Sequence, residues 1–240
     1  MKKPKIIVTC EHASKRVPRS CQPHFELPSG ASERHRIYDW GTRGISRKFA
    51  EITKAPLFEG VATRLAIDLN RSLDNPGLFS PCIQKMDESF KSRLIARYYL
   101  PFRQGVEQQI GEWIASGRTV VHFSIHSFTP CLNGQIRTVD IGVLYDESRP
   151  YESALSQDII AYHRMRYPSL SVDPNEPYKG TDDGHTTALR QTFPRHYAGI
   201  EIEYSQALPL VRQRNRWARD LRSSLHYALA QGKQYEALYR

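Results

Sequence analysis

Histidines and carboxylates recur in this 240-residue chain where strand-like stretches run out. Glu11-His12 follows the β-branched run at 5–10, His126 follows the run at 119–125, and Glu201 and Glu203 lie on the stretch 199–204. Imidazole nitrogens and carboxylate oxygens are the donors of a catalytic zinc site, which takes about three protein ligands and keeps a position open to water. His12 and His126 are therefore the candidate nitrogen ligands, and the coincidence of three strand ends points to metal-assisted hydrolysis. Taken singly, any of the nine histidines reads as readily as a structural or surface residue. Position separates these two: each sits at a strand end beside small residues, in His12-Ala13-Ser14 and Ser124-Ile125-His126-Ser127, where a side chain can face an open crevice.

Glu201 and Glu203 are two residues apart, so on a strand they share one face and point together toward a site or together toward solvent. The stretch 63–71 interleaves Arg64, Asp68, Asn70 and Arg71 with apolar residues, and its alternation over 61–69 predicts a strand that delivers charge to its end. Asn70 with Arg71 can grip a carboxylate, because a guanidinium forks onto two oxygens and an amide adds a further donor. A turn-forming Asn beside a solvated Arg accounts for the same pair.

The elements that must position these residues alternate. The first strand gives way to a Pro/Ser/Gly-rich loop (18–32), then to apolar residues at helical spacing: Ile37, Trp40, Ile45, Phe49 and Ile52. A long stripe over 90–114 predicts one helix, with Pro101 as its point of interruption. Strands are predicted at 119–125 and 139–145, a helix near 151–165, a polar loop over 169–187, a last strand at 199–204, and a closing helix carrying Leu210, Trp217, Leu221, Leu225 and Leu229 on one face. Strands alternating with helices imply an α/β fold, a three-layer sandwich around a mostly parallel central sheet. Ligands in such folds bind outside the carboxyl ends of the strands, where the histidines and glutamates fall.

Composition narrows the class. With 40% apolar and 25% charged residues the chain reads as one globular domain over 1–240, with no run long enough for a membrane span and no export signal at its start. Four cysteines without C-x-x-C spacing argue against a structural zinc site or a disulfide scaffold and fit a reducing cytoplasm. The net charge of +9 is spread along the chain, which favours a basic enzyme attracting anionic substrates over a nucleic-acid binder.

The motifs His12-Ala-Ser-x-Arg-Val-Pro18, Asp39-Trp-Gly, Arg64 with Asp68-Leu-Asn-Arg71, His126-Ser127, Asn175-x-Pro-Tyr-Lys-Gly180 and Glu201-Ile-Glu203 resemble, in order, those of the N-formylglutamate amidohydrolase family. The patches around Asn70-Arg71 and His126 are also similar to zinc carboxypeptidases, which implies their phosphorylase/hydrolase-like fold. Carried over residue by residue, the resemblance makes His12 and His126 metal ligands and Asn70-Arg71 a clamp for the substrate's carboxylate, with Tyr178 beside it. Carboxypeptidases have a Glu three residues after the first His. Here that position is Lys15, which cannot bind a cation, so Asp39 stands as third ligand with Glu11 as the alternative. Asp39 also precedes a predicted helix, where a capping role would explain it. Glu203 aligns best with the family's general base, although members reading Glu-Ile-Arg would favour Glu201, and Arg64 faces the developing oxyanion. The resemblance implies one zinc ion per chain and a small anionic N-acyl amino acid as substrate, N-formylglutamate above all. A metallopeptidase or cell-wall peptide amidase, and a non-catalytic basic binding module, are the competing readings.

Overall fold

The computed structural model describes residues 3–25 and 36–231; the second half of the predicted 18–32 loop lies outside them. Its centre is a six-stranded sheet formed by β1 (Lys5–Cys10), β2 (Leu57–Glu59), β3 (Val120–Phe128), β6 (Ile141–Leu144), β7 (Val172–Pro174) and β8 (Tyr197–Ser205), in the order β2-β1-β3-β8-β6-β7. Every junction is parallel except β6 against β8. A short hairpin, β4 (Cys131–Leu132) with β5 (Gln135–Ile136), stands apart.

Helices α1 (Thr42–Thr53), α5 (Pro150–Arg166) and α7 (Arg214–Gln231) cover one face of the sheet, where Ile45, Phe49, Leu155, Ile159, Trp217 and Leu221 pack on Val8, Val121, Phe123, Ile125, Ile200 and Ile202. Short α2 (Pro81–Gln84), α3 (Glu88–Leu94), α4 (Leu100–Ala115) and α6 (His185–Thr192) lie on the other, with Phe90, Phe102, Val106, Ile110 and Leu189 against Ile7, Val120 and Tyr197. The result is the expected three-layer α/β architecture with a mostly parallel mixed sheet. No described helix is long and apolar enough to cross a membrane.

The two faces of the sheet differ in composition along the strands. On the α1/α5/α7 face the central strands are apolar over most of their length, with Val8 on β1, Val121, Phe123 and Ile125 on β3 and Ile200, Ile202 and Tyr204 on β8, and Ser127 ends the row on β3. On the opposite face the alternating positions turn polar toward the carboxyl ends: Ile7 then Thr9 on β1, Val120 then His122, Ser124 and His126 on β3, Tyr197 then Gly199, Glu201 and Glu203 on β8. Because a parallel register aligns His122 with Gly199, Ser124 with Glu201 and His126 with Glu203, these polar residues form one strip across the sheet.

Three expectations need correction. The stretch 61–69 is not a strand but a turn-rich loop. Its amides go to loop partners, Thr63 to Arg16 O, Arg64 to Ile37 O and Asp68 to Leu78 O, and the strand itself is the three-residue β2 just upstream. Ala66, Ile67 and Leu69 all pack into the core on the α3/α4 side of the sheet, so the apolar positions there reflect a buried loop, not a ladder. The predicted 90–114 helix is α3 and α4 joined through a π turn at Ile95–Tyr99, in which the Leu100 amide donates to Ile95 O immediately before Pro101, a residue that has no amide to give. The polar loop at 169–187 contains β7 and the start of α6.

Candidate active site

At the carboxyl ends of β1, β3 and β8 the strip of polar residues opens into a cleft. Of the residues singled out from sequence, His12, Asp39, Arg64, Asn70, Arg71, His126, Tyr178 and Glu203 line it, as does Glu201, whereas Glu11 does not. They come from six separate stretches of chain, so the cleft exists only in the folded protein.

Asp39 reaches it through the turn before α1. Its amide donates to His12 O, its carbonyl accepts from Thr42 Oγ1, and the chain then reverses at Gly41, whose φ of 89° and close approach to Leu210 leave no room for a side chain. Gly41, not Asp39, occupies the N-cap position, and no side chain caps α1. The Asp39 carboxylate is therefore free to turn inward. Its Oδ2 lies 2.9 Å from His126 Nδ1 and 3.3 Å from His12 Nδ1. One oxygen and two ring nitrogens, all buried and all within 4.8 Å of one another, thus converge on one point.

The outer nitrogen of each imidazole is engaged elsewhere. His12 Nε2 meets Asp68 Oδ1 at 2.6 Å, and Asp68 is in turn gripped by Arg64 through Nε and Nη2. His126 Nε2 meets Ser124 Oγ at 2.7 Å, whose hydroxyl is 2.7 Å from Glu11 Oε2. Glu11 is thus turned away from the convergence point; its other oxygen meets His185 Nδ1 at 3.0 Å. Such outer partners orient metal-binding imidazoles and make them stronger donors. The set of two imidazole nitrogens, one carboxylate oxygen and occupied outer nitrogens fits a zinc-like cation. Lys15, in the position where carboxypeptidases have their ligand, is exposed.

Electrostatics agree with that fit. Burial and the Arg64 charge push the His12 ring toward neutrality, yet Asp68 and Asp39 outweigh them and its pKa is raised. Burial works likewise against His126, but Asp39 and Glu11 hold it well above its ordinary value. Burial would raise Asp68, but Arg64 and His12 keep it well below the usual carboxylate range. The cleft gathers more buried carboxylates than cations, and a bound positive charge relieves that excess.

The two glutamates of β8 share the cleft face but not their surroundings. Glu201 is occupied: Oε1 accepts from Thr186 Oγ1 at 2.5 Å and Oε2 lies 3.5 Å from Asn70 Nδ2. Glu203 Oε2 is buried without a hydrogen-bond partner. Burial, reinforced by Asp39 and Glu201 and opposed by His126, lifts the Glu203 pKa to about 8. Asn70 is oriented by the His185 amide, which donates to its Oδ1 at 2.7 Å, so its NH₂ group faces the cleft. Arg71 donates to the carbonyls of Asn70 and Asp183, and Tyr178 stands at the rim, 39% exposed.

Ser124 and His185 belong to this constellation but escape a reading of the sequence. Ser124 carried a signal, since period-two spacing puts it on the face of His126. His185 carried none, because it comes from a stretch that reads as loop and meets Glu11 across 174 positions.

The chain is similar in structure to a gene product of Agrobacterium tumefaciens, Atu2144, at 29% identity and a TM-score of 0.81, covering 96% of this chain and 92% of that one. It shares its fold with the N-formylglutamate amidohydrolase of Ralstonia eutropha JMP134, at 18% identity and a TM-score of 0.69, over 98% and 96% of the two chains. No curated protein matches the sequence. The sequence pattern of one family matches residues 5–209, nearly the whole of the described fold and every residue of the cleft, and by that match the chain belongs to the N-formylglutamate amidohydrolase family.

Proposed function

We propose that the chain is a zinc-dependent amidohydrolase, with one metal ion per chain, that cleaves the amide bond of a small N-acyl amino acid of the N-formylglutamate kind. The observation that carries this reading is the convergence of His12 Nδ1, His126 Nδ1 and Asp39 Oδ2 beside the unpartnered oxygen of Glu203. His12, His126 and Asp39 would hold the ion, which when bound supplies a Lewis acid for the scissile carbonyl and lowers the pKa of water.

The remaining steps fall to the chain's own side chains. With a cation held at His12, His126 and Asp39 to draw its raised pKa down, Glu203 would take the proton from the attacking water and return it to the leaving nitrogen; it has an open oxygen for that task, whereas both oxygens of Glu201 face partners. Arg64, anchored on Asp68, presents its guanidinium to the oxyanion as charge develops on the carbonyl oxygen. Arg71 and the Asn70 amide bind the substrate's carboxylate, with Tyr178 at the rim, and fix the amide relative to Glu203.

Metal analysis of the purified protein, joined to a hydrolysis screen of N-formyl and N-acetyl amino acids beside short peptides, tests the reading. The expected result is close to one divalent ion per chain, lost in His12→Ala and in His126→Ala, with turnover of N-acyl amino acids in preference to peptides. Full occupancy in both variants would overturn the ligand assignment, and preference for peptides would move the chain to the peptidase or cell-wall amidase class.

A further inference from the structure

Residues 183–186, which lead into α6, reach both halves of the cleft. The Asp183 carbonyl accepts from Arg71 Nη1 at 2.6 Å, and the Thr186 hydroxyl donates to Glu201 Oε1 at 2.5 Å. His185 stands between them and faces two ways. Its amide, which the first turn of a helix leaves without an intrahelical partner, donates to Asn70 Oδ1 at 2.7 Å, while its ring Nδ1 meets Glu11 Oε1 at 3.0 Å.

The protons in the buried chain beyond that ring follow from donor and acceptor chemistry. Glu11 is buried and ringed by the Ser124 hydroxyl and the imidazoles of His126 and His185, surroundings that suit an ionised carboxylate, which only accepts. His185 therefore donates through Nδ1–H, and the single hydrogen of the Ser124 hydroxyl goes to Glu11 Oε2 at 2.7 Å. The Ser124 oxygen is left to accept from His126 Nε2–H, also at 2.7 Å. With Nε2 committed as a donor, Nδ1 of His126 is the nitrogen that can turn a lone pair to the point shared with Asp39 and His12. His185 Nε2, by contrast, is buried without a hydrogen-bond partner, and the Phe102 ring lies beside the imidazole at 5.5 Å between centroids. An unmet buried acceptor works against stability, so the bond to Glu11 is the one polar contact that the ring's place secures.

We propose that His185 is a positioning residue of the site: through Glu11 and Ser124 its ring holds His126 with Nδ1 turned toward His12 and Asp39, and its amide holds the Asn70 side chain in its cleft-facing pose. This rests on the metal reading of the cleft. One residue thereby ties the orientation of a metal ligand to that of the carboxylate clamp, although it does not itself line the cleft.

Zinc affinity, measured by competition with a chelator, tests the relay without turnover. His185→Phe keeps a ring in the space but removes the donor, and zinc should bind about 10-fold more weakly. His185→Asn places its NH₂ where Nδ1 stood and should stay within about threefold of the native chain. Ser124→Ala cuts the same relay one step nearer the metal, so adding His185→Phe to it should weaken zinc binding no further, whereas two unrelated packing defects would multiply. Native affinity in His185→Phe, an Asn variant no better than the Phe one, or multiplying effects overturns the proposal. Should His185→Phe not fold, His185→Gln takes its place, since its longer side chain carries the amide past Glu11 toward the position of Nε2; equal affinities in the Asn and Gln variants then overturn it. In the zinc-free chain, nitrogen NMR should find the His185 proton on Nδ1 and the His126 Nε2–H resonance displaced in His185→Phe; a proton on His185 Nε2 overturns the relay. The His185 amide should exchange slowly with solvent and lose that protection in Asn70→Ala, and fast exchange in the native chain overturns the link to the clamp. If the native chain binds no zinc, the metal reading fails, and the resonance measurements alone decide the relay.

Discussion

Glu152 on α5 is as deeply buried as any carboxylate in the cleft, yet all of its oxygens are used. Oε1 accepts from the Asp146 amide at 2.8 Å and from Arg190 Nε at 2.9 Å, and Oε2 accepts from the Gly199 amide at 2.8 Å. Arg190 gives its remaining donors to Gly180 O and Gly199 O. That cluster ties α5, α6 and β8 together and is closed. The cleft, one layer of residues away on the same strand, collects Asp39, Asp68 and Glu203 around two imidazoles, aims three donor atoms at one point and leaves a carboxylate oxygen without a partner. Burial of charge with every group satisfied is architecture. Convergence of buried donors beside a carboxylate oxygen without a partner is what supports the proposed metal reading of the cleft.

The comparison breaks first at its structural half. Arg190→Ala would leave Glu152 in the interior with its amide donors and only the more distant Arg149, whose Nε lies 3.6 Å from Oε2. Removing one partner of a buried ion pair costs about 3–5 kcal/mol, and denaturant unfolding should register a loss of that size. A change below about 1 kcal/mol would mean that the closed cluster contributes nothing special and that closure does not separate architecture from chemistry.

The second effect belongs to the open half. Glu203→Gln keeps the shape of the side chain and removes the base, so turnover should fall by roughly 10²-fold or more while metal content and the folded state persist. Loss of metal in this variant would instead make Glu203 a ligand and displace Asp39.

How much of this contrast is visible in the sequence depends on distance along the chain. Period-two spacing reveals that Glu201 and Glu203 share a face, and strand ends reveal where His12 and His126 emerge, because these are local patterns. The α/β alternation is equally local, and it yields the layers and most of the element positions. The 61–69 stretch misleads because a loop that buries Ala66, Ile67 and Leu69 in one core carries apolar residues spaced much as a strand's are. What escapes entirely is pairing over long separations: Ser124 with Glu11, His185 with Glu11, and Glu152 with Arg190. Only the folded register decides which carboxylates are closed and which stay open. For the same reason the residue types alone leave Asp39 and Glu11 level as third ligand, whereas the turn at Gly41 directs one of them inward and Ser124 and His185 occupy the other.

A smaller effect is expected at Arg71. Its guanidinium is braced by two carbonyls at the wall of the cleft, and as the proposed carboxylate clamp it would contribute alike to the ground and transition states. Arg71→Ala should raise KM for a carboxylate-bearing substrate about 10-fold, with a lesser change in kcat. Steady-state kinetics with an unchanged KM and a collapsed kcat would move Arg71 into the reaction centre.

The smallest effect, and the sharpest form of the comparison, concerns Glu201, which lies two residues from Glu203 and faces the same cleft in the opposite condition. Its Oε1 is held by Thr186 Oγ1 and its Oε2 lies beside the Asn70 amide, so it behaves as a closed group inside an open site. In Glu201→Gln the retained oxygen still accepts from Thr186, but the new NH₂ would confront the NH₂ of Asn70 and turn that amide away from its cleft-facing pose. The consequence falls on substrate placement rather than on proton transfer, so kcat/KM should drop less than about 10-fold and chiefly through KM. Measured beside Glu203→Gln under the same conditions, the two variants should differ by an order of magnitude or more. If Glu201→Gln abolishes turnover and Glu203→Gln does not, the general base is Glu201, and a hydrogen-bonded carboxylate has proved the reactive one.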